Sequence, residues 1–148
     1  MKKNFLISID PGENTGWAIW DHKKNLLQSG WYQNSNLIYL QNRFESILQR
    51  YPTESVVIED ARMMGARTIA SNKRFIILCK IIGVYEAILQ KMKIDYTLIS
   101  VQKWKGSLSN KILRLWIERI LEEDFFTIFP SVHTLCAVGI GLHKLGRL

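Results

Sequence analysis

Two carboxylates stand where chemistry is most easily built. Asp10 closes the apolar run Phe5-Leu6-Ile7-Ser8-Ile9, and Glu59 closes Val56-Val57-Ile58. Both runs read as strands, and parallel strands ending side by side would bring the two acids together. Such a pair is the minimal nest for Mg²⁺ or Mn²⁺, hard cations that take oxygen ligands on a fixed frame. Each acid has a plainer reading when taken alone. Asp10-Pro11-Gly12 is turn chemistry, with Pro setting φ and Gly supplying a positive φ, and Glu59-Asp60 is the solvated end of a strand. Glu59 directly follows the buried run and is the preferred inward acid, with Asp60 in a supporting place beside it.

Cations follow the same strand ends. Arg62, Arg67, Lys73 and Arg74 surround the loop after Glu59, while Lys103, Lys105 and Lys111 lie between the last strand and the third helix. Placed there, they make a phosphate track beside the carboxylates; the bland alternative is a set of helix-capping, solvated side chains. Twenty Lys plus Arg against thirteen Asp plus Glu give a formal charge of +7, which favours a polyanionic partner such as nucleic acid.

The elements that must hold these groups are mixed. Residues 4–9 predict a strand, and residues 16–20 and 26–32 predict a hairpin around the polar loop 21–25. Leu37, Leu40, Phe44, Ile47 and Leu48 recur at helical spacing, with Pro52 beyond the stop. Residues 55–59 predict a strand buried on both faces, reached through a helix as parallel pairing requires. A long helix fits 71–92. One stripe on it is Phe75, Leu78, Cys79, Ile82 and Leu89; a second is Ile77, Ile81, Val84 and Ile88, so either the domain or a second subunit must cover the extra apolar width. Residues 94–99 predict a further strand, and 109–122 a helix with Ile112, Leu113, Trp116, Ile117 and Ile120 inward. Phe125 to Pro130 reads as a short apolar connection, and a last helix starts near Ser131, where Ala137, Gly139 and Gly141 would permit close approach to a sheet.

Composition sets the class. A chain of 148 residues with 47% hydrophobic content is expected to form one domain, residues 1–148, with a sizeable core. No apolar stretch is long enough to span a bilayer, and the run after Lys2-Lys3 is too short for a signal peptide, so no membrane partner and a cytoplasmic location are expected. Cys79 and Cys136 lack metal-type spacing and read as free thiols suited to a reducing compartment.

The element order β-β-β-α-β-α-β-α-α, with acids ending the first and fourth strands, resembles the ribonuclease H-like fold, a mixed five-stranded sheet flanked by helices (class α/β). More narrowly, it is similar to the RuvC-type Holliday-junction resolvases. The resemblance is carried by Ile7-Ser8-Ile9-Asp10-Pro11-Gly12-Glu13-Asn14-Thr15-Gly16-Trp17-Ala18, by Val56-Val57-Ile58-Glu59-Asp60, by Leu78-Cys79-Lys80-Ile81-Ile82-Gly83-Val84, and by the segment Val132 to Leu142. It spans nearly the whole chain, and the compact length fits a phage-type member acting in a bacterial host's cytoplasm.

That resemblance implies a site built from four places: an acid on the first strand, a glutamate on the fourth, and two ligands three residues apart on the last helix. The first two transfer onto Asp10 and Glu59. The last two fall on His133 and Cys136, where the family commonly has aspartates and sometimes His at the first place. Residues i and i+3 share a helix face, so both would point toward the strand ends. A neutral imidazole can ligate Mg²⁺ or Mn²⁺ or position water, whereas a thiol is a poor partner for a hard ion. Two divalent ions bridged by Asp10, one also held by Glu59 and His133 serving the other or the water, are implied, as are lysines near the third helix, here Lys105 and Lys111, that hold phosphates. Where bacterial relatives carry an aromatic wedge, this chain has Arg62 and Met63.

The implied activity is that of a divalent-metal-dependent endodeoxyribonuclease, resolving Holliday junctions and other branched DNA. The alternative is a catalytically weak or inactive branched-DNA-binding protein of the same fold, which Cys136 keeps open. A nucleotide-binding module sharing the fold, as sugar kinases do, is disfavoured by the short chain. Because a four-way junction is two-fold symmetric, a homodimer is implied, with Ile77, Ile81, Val84 and Ile88 as its expected interface.

Overall fold

The computed structural model describes residues 2–61, 69–122 and 131–148. Its strands are β1 (Phe5–Asp10), β2 (Asn14–Trp20), β3 (Leu26–Gln33), β4 (Thr53–Glu59) and β5 (Asp95–Ile99). Its described helices are α1 (Leu37–Arg50), α2 (Ile69–Lys91), α3 (Val101–Trp104), α4 (Asn110–Leu121) and α5 (Val132–Lys144). The strands form one sheet in the order β3-β2-β1-β4-β5. β1 to β3 are antiparallel neighbours, while β1, β4 and β5 are parallel, which makes the sheet mixed as expected.

The parallel half follows from its connections. Reversing direction twice, through α1 and then α2, lets β4 and β5 run with β1, since parallel strands need a crossover longer than a turn. β1 and β4 pair through Ile9 and Ile58, so the next residue on each strand, Asp10 and Glu59, emerges at the same sheet edge. At the antiparallel side, Asp21 closes the β2–β3 loop: its carboxylate accepts from the backbone N–H groups of Lys23 and Asn25, both at 2.8 Å. Gly12 in the Asp10 turn does not adopt a positive φ; the turn is closed by the Thr15 hydroxyl, which donates to the Gly12 carbonyl at 2.7 Å.

Each face of the sheet is covered. Ile7, Ile9, Ile19, Val56 and Ile58 pack with Leu40 and Phe44 of α1 and with Ile81, Tyr85, Ile88 and Leu89 of α2. On the opposite face Ala18, Trp20 and Val57 meet Trp104, Leu113 and Ile117, together with Leu135, Val138 and Leu142 of α5. Full burial of such aliphatic or aromatic side chains is worth about 1.5–3 kcal/mol each.

This packing corrects two readings of the helices. Ile81 and Ile88 are 1% and 5% exposed and belong to the chain's own core, with Val84 packed against it, so they are not a surface for a partner. Ile77, 37% exposed, is the one member of that stripe left at the surface, whereas Cys79, expected inward, is exposed. The inner face of α2 is a single stripe, Ile81-Ile82-Tyr85-Ile88-Leu89, because two helical layers cover the sheet and α2 leans on α1 as well as on the strands. On α4, Leu113 and Ile117 are buried, but Ile112 and Trp116 turn outward.

α5 lies unusually close to the sheet, and small residues allow it. A Cβ on Gly16 would come within 1.9 Å of the His133 carbonyl oxygen, and one on Gly141 within 2.2 Å of Trp20 Nε1. Between these points the Ser8 hydroxyl donates to the Ala137 carbonyl at 2.7 Å and accepts from Trp20 Nε1 at 3.0 Å. The start of α5 is capped by Ser131, whose side chain accepts from the His133 N–H. The helix is thereby fixed with its first turn above the strand ends.

Candidate active site

β1 delivers Asp10, β4 delivers Glu59, and the first turn of α5 delivers His133, so three elements from distant parts of the sequence meet at one sheet edge. His133 Nδ1 lies 3.2 Å from Asp10 Oδ2. Glu59 Oε2 accepts a hydrogen bond from the indole N–H of Trp104 at 2.6 Å. A cleft of about 370 Å³ opens beside this cluster, lined by Asp10, the turn residues Pro11 to Asn14, His133, and Arg74, Ile77, Leu78 and Ile81 of α2.

Burial, ahead of mutual repulsion, dominates the electrostatics of the cluster. Burial pushes the Asp10 carboxyl up, against the opposing pull of His133 and Lys105. Burial, and then the charge of Asp10, push Glu59 up to about 7, with the Trp104 hydrogen bond acting the other way. The hydrogen bond to Asp10 raises His133. Burial and the negative field of Asp10 push the Cys136 thiol up to about 12. Cys136 therefore stands beside the acids as a neutral thiol, half-buried against the α5 side of the core.

The donor set can be judged from this. Two adjacent, partly desolvated carboxylates that each hold protons too tightly are an unneutralised anionic pair, which suits a hard divalent cation. The neutral thiol does not. Among the described residues no three His, Cys, Asp or Glu side chains form a ready-made cage; His133 is hydrogen-bonded to Asp10 and lines the cleft. The set that fits Mg²⁺ or Mn²⁺ is thus Asp10 and Glu59, with His133 alongside.

A pH dependence of stability follows without divalent ions. A carboxyl raised from 4.5 to about 7 favours the folded state fully below 4.5, and that contribution is lost as pH climbs to about 7. Over that window the Glu59 linkage amounts to roughly 3 kcal/mol. Asp10 and His133, both raised, act in the same direction. The wild-type chain is expected to melt at higher temperature at pH 5 than at pH 8, and Glu59→Gln to flatten the difference. Thermal unfolding of both proteins across that range checks it; equal slopes would contradict the assignment.

The cations divide. Arg74 reaches the cleft wall, and Lys105 lies close enough to act on both carboxyls while its ammonium is bonded to Asn110 Oδ1. Lys73 and Lys103 are exposed on α2 and α3. Lys111 lines a separate groove between α4 and α5. Arg62, Arg67 and Met63 lie outside the described residues, as does the stretch from Phe125 to Pro130. Asp60 is tied to the backbone around it: its carboxylate accepts from the Ala61 N–H, and its own N–H donates to the Ile99 carbonyl.

Trp104 was not foreseen. Its signal in the sequence is an indole between two lysines, Lys103 and Lys105, in a stretch otherwise readable as solvated. The same holds for the buried hydroxyl relay Thr15–Tyr85–Tyr32, at 2.7 and 2.8 Å, which ties the Asp10 turn to α2.

No family model matches the chain, and no curated protein matches it. Solved structures do. Thermus thermophilus RuvC in complex with a Holliday junction substrate is similar over 97% of both chains, with a TM-score of 0.74 and 16% identity. The fowlpox virus resolvase in complex with substrate Holliday junction DNA is similar over 97% of this chain and 99% of its own, with a TM-score of 0.66 and 16% identity. The likeness shows the fold: the chain's mixed five-stranded sheet flanked by helices is the ribonuclease H-like fold in the form taken by RuvC and the fowlpox virus resolvase.

Proposed function

We propose that residues 1–148 form a structure-selective DNA endonuclease that resolves Holliday junctions and other branched DNA by divalent-metal-dependent phosphodiester hydrolysis. The observation that carries the reading is the like-charged pair Asp10 and Glu59, held at adjoining parallel strand ends with His133 on Asp10, in a fold shared with two resolvases described in complex with junction DNA. Mg²⁺ or Mn²⁺ bound by Asp10 and Glu59 would polarise the scissile phosphate, lower the pKa of an attacking water and stabilise the leaving 3′ oxygen. The chain's own residues supply the rest. His133, hydrogen-bonded to Asp10, would orient that water or take its proton. Arg74 on the cleft wall and Lys105 beside the acids offer positive charge to the phosphates flanking the cut. The products expected are 5′-phosphate and 3′-hydroxyl ends.

Two cuts on a two-fold symmetric junction are most simply made by a homodimer. With Ile81 and Ile88 committed to the core, the outer face Ile76-Lys80-Gly83-Ala87 of α2 is the exposed surface available for a second copy. Among the described residues no helix is long and apolar enough to cross a membrane. A cytoplasmic setting agrees with the two free thiols.

Binding tests the substrate class. In EDTA, a four-way junction is expected to bind about tenfold or more tighter than a duplex of equal length, a gap of about 1.4 kcal/mol or more, with affinity falling as salt rises. Equal affinity for both forms, measured by fluorescence anisotropy, would refute junction selectivity.

The neutral thiol at Cys136 favours a second reading, a weak or inactive branched-DNA-binding protein of the same fold. Substitution of that residue separates the two.

A further inference from the structure

We propose that Trp104 is a positioning residue for Glu59, its indole N–H occupying one carboxylate oxygen so that the other is presented to a divalent cation. The inference rests on the reading of Asp10 and Glu59 as an ion-binding pair, and concerns what holds that pair in shape.

At 2.6 Å from Nε1 to Oε2 the bond is a short one, below the ~2.7–2.9 Å usual for charge-assisted N–H···O contacts. An indole N–H only donates, so it orients the oxygen it meets and can never take that oxygen's proton. Nor is the contact there merely because a buried indole demands a partner. Trp17 Nε1 is buried in this protein with no hydrogen-bond partner among the described residues, so an unpaired indole is tolerated.

Local structure aims the ring. α3 is one turn, opened by Ser100, whose side chain accepts from the Lys103 N–H, and closed at Lys105. Trp104 is buried at its end, 4% exposed. On the α5 side the ring rests on Gly139: a Cβ there would lie 2.6 Å from Trp104 Cζ3 and 3.5 Å from Leu113 Cδ1. Gly139 thus keeps open the space that lets the indole reach β4. The next residue, Lys105, lies in the field of the same acids, so one turn supplies both a neutral donor to Glu59 and a nearby positive charge.

The consequence is specific. With Oε2 held, Glu59 cannot swing to meet Trp104 and the ion by turns, and it faces the ion in one orientation. Losing the N–H while keeping an aromatic ring removes that restraint and leaves the packing. Partners that orient a metal ligand typically change metal affinity 10- to 100-fold when removed, so Trp104→Phe is expected to weaken Mg²⁺ and Mn²⁺ binding by about tenfold or more.

Two measurements on the full chain decide it. Calorimetric titration with MnCl₂ compares wild type and Trp104→Phe, with far-ultraviolet circular dichroism confirming the fold. In ¹⁵N-labelled wild type, the Trp104 Nε1–H resonance, assigned from triple-resonance spectra, is followed as MgCl₂ is added; it is expected to move while the Trp20 indole signal stays put. An unchanged Mn²⁺ affinity in Trp104→Phe, or a Trp104 resonance indifferent to Mg²⁺, overturns the role of the indole and leaves the ion-binding pair standing. A wild type that binds neither ion overturns both. Should Trp104→Phe fail to fold, the wild-type resonance decides alone.

Discussion

Asp10→Asn is expected to lower the rate of junction nicking by about 10³-fold or more, while junction binding stays within about threefold of wild type. The reason lies in what the substitution leaves behind. Asparagine is nearly isosteric and retains an oxygen toward His133, which stands 3.2 Å from the carboxylate, so the geometry of the first turn of α5 survives. What goes is the charge. Glu59 alone then faces any cation, and the repulsion that helps raise it is relieved. Since burial disfavours the Asp10 carboxylate, its neutral replacement is expected to melt no lower than wild type at pH 8 in EDTA. Gel-resolved nicking of a labelled junction, beside thermal unfolding, checks both halves. A protein that cuts normally as Asp10→Asn has its site elsewhere.

Cys136→Asp is expected to act in the opposite direction, raising nicking in Mg²⁺ about tenfold or more, equivalent to about 1.4 kcal/mol of added stabilisation. Cys136 sits one helical turn after His133, and its thiol is held neutral by burial and then by the field of Asp10 and Glu59. An aspartate there would add a hard, anionic donor where the present residue adds none. The same change has a cost. A third carboxylate beside two that already resist ionisation destabilises the ion-free chain, so Cys136→Asp is expected to melt below wild type at pH 8 in EDTA and to recover when Mg²⁺ is added. A rate equal to wild type, with no dependence of melting on Mg²⁺, would show that Cys136 is remote from the ions. If instead wild type is inert and Cys136→Asp cuts, the chain in its natural form is the branched-DNA-binding protein of the second reading.

Much of this was visible in the amino-acid sequence because it is written in local patterns. Apolar runs ending in Asp10 and Glu59, crossovers that demand parallel pairing, and Ser131 before an apolar helix are all legible from short stretches of chain. They located the strands, the sheet edge and the turn of helix above it. Face assignments were less legible. Ile81 and Ile88 read as a spare stripe because α2 is apolar around much of its circumference, and only the arrangement of α1 beside it decides which side is covered. Ile112 and Trp116 turned outward for a related reason: α4 packs against α5 rather than broadly across the sheet, with Leu113 and Ile117 as its buried residues. Long-range polar contacts were not legible at all. Trp104 and Glu59 are 45 residues apart, and Ser8 and Ala137 are 129 apart; no periodicity links them. Gly16 likewise gives no hint in the sequence that a helix backbone from the far end of the chain will rest on it.

The central claim is that the acids at the ends of β1 and β4 form an ion-dependent nuclease site for branched DNA. It is tested most directly by incubating the wild-type chain with an end-labelled four-way junction in Mn²⁺ and in EDTA, with Asp10→Asn in parallel. Paired nicks across the junction, with ligatable 5′-phosphate and 3′-hydroxyl ends, formed by wild type in Mn²⁺ and absent from the other two reactions, are the predicted result. Cleavage that persists in EDTA or in Asp10→Asn would contradict it.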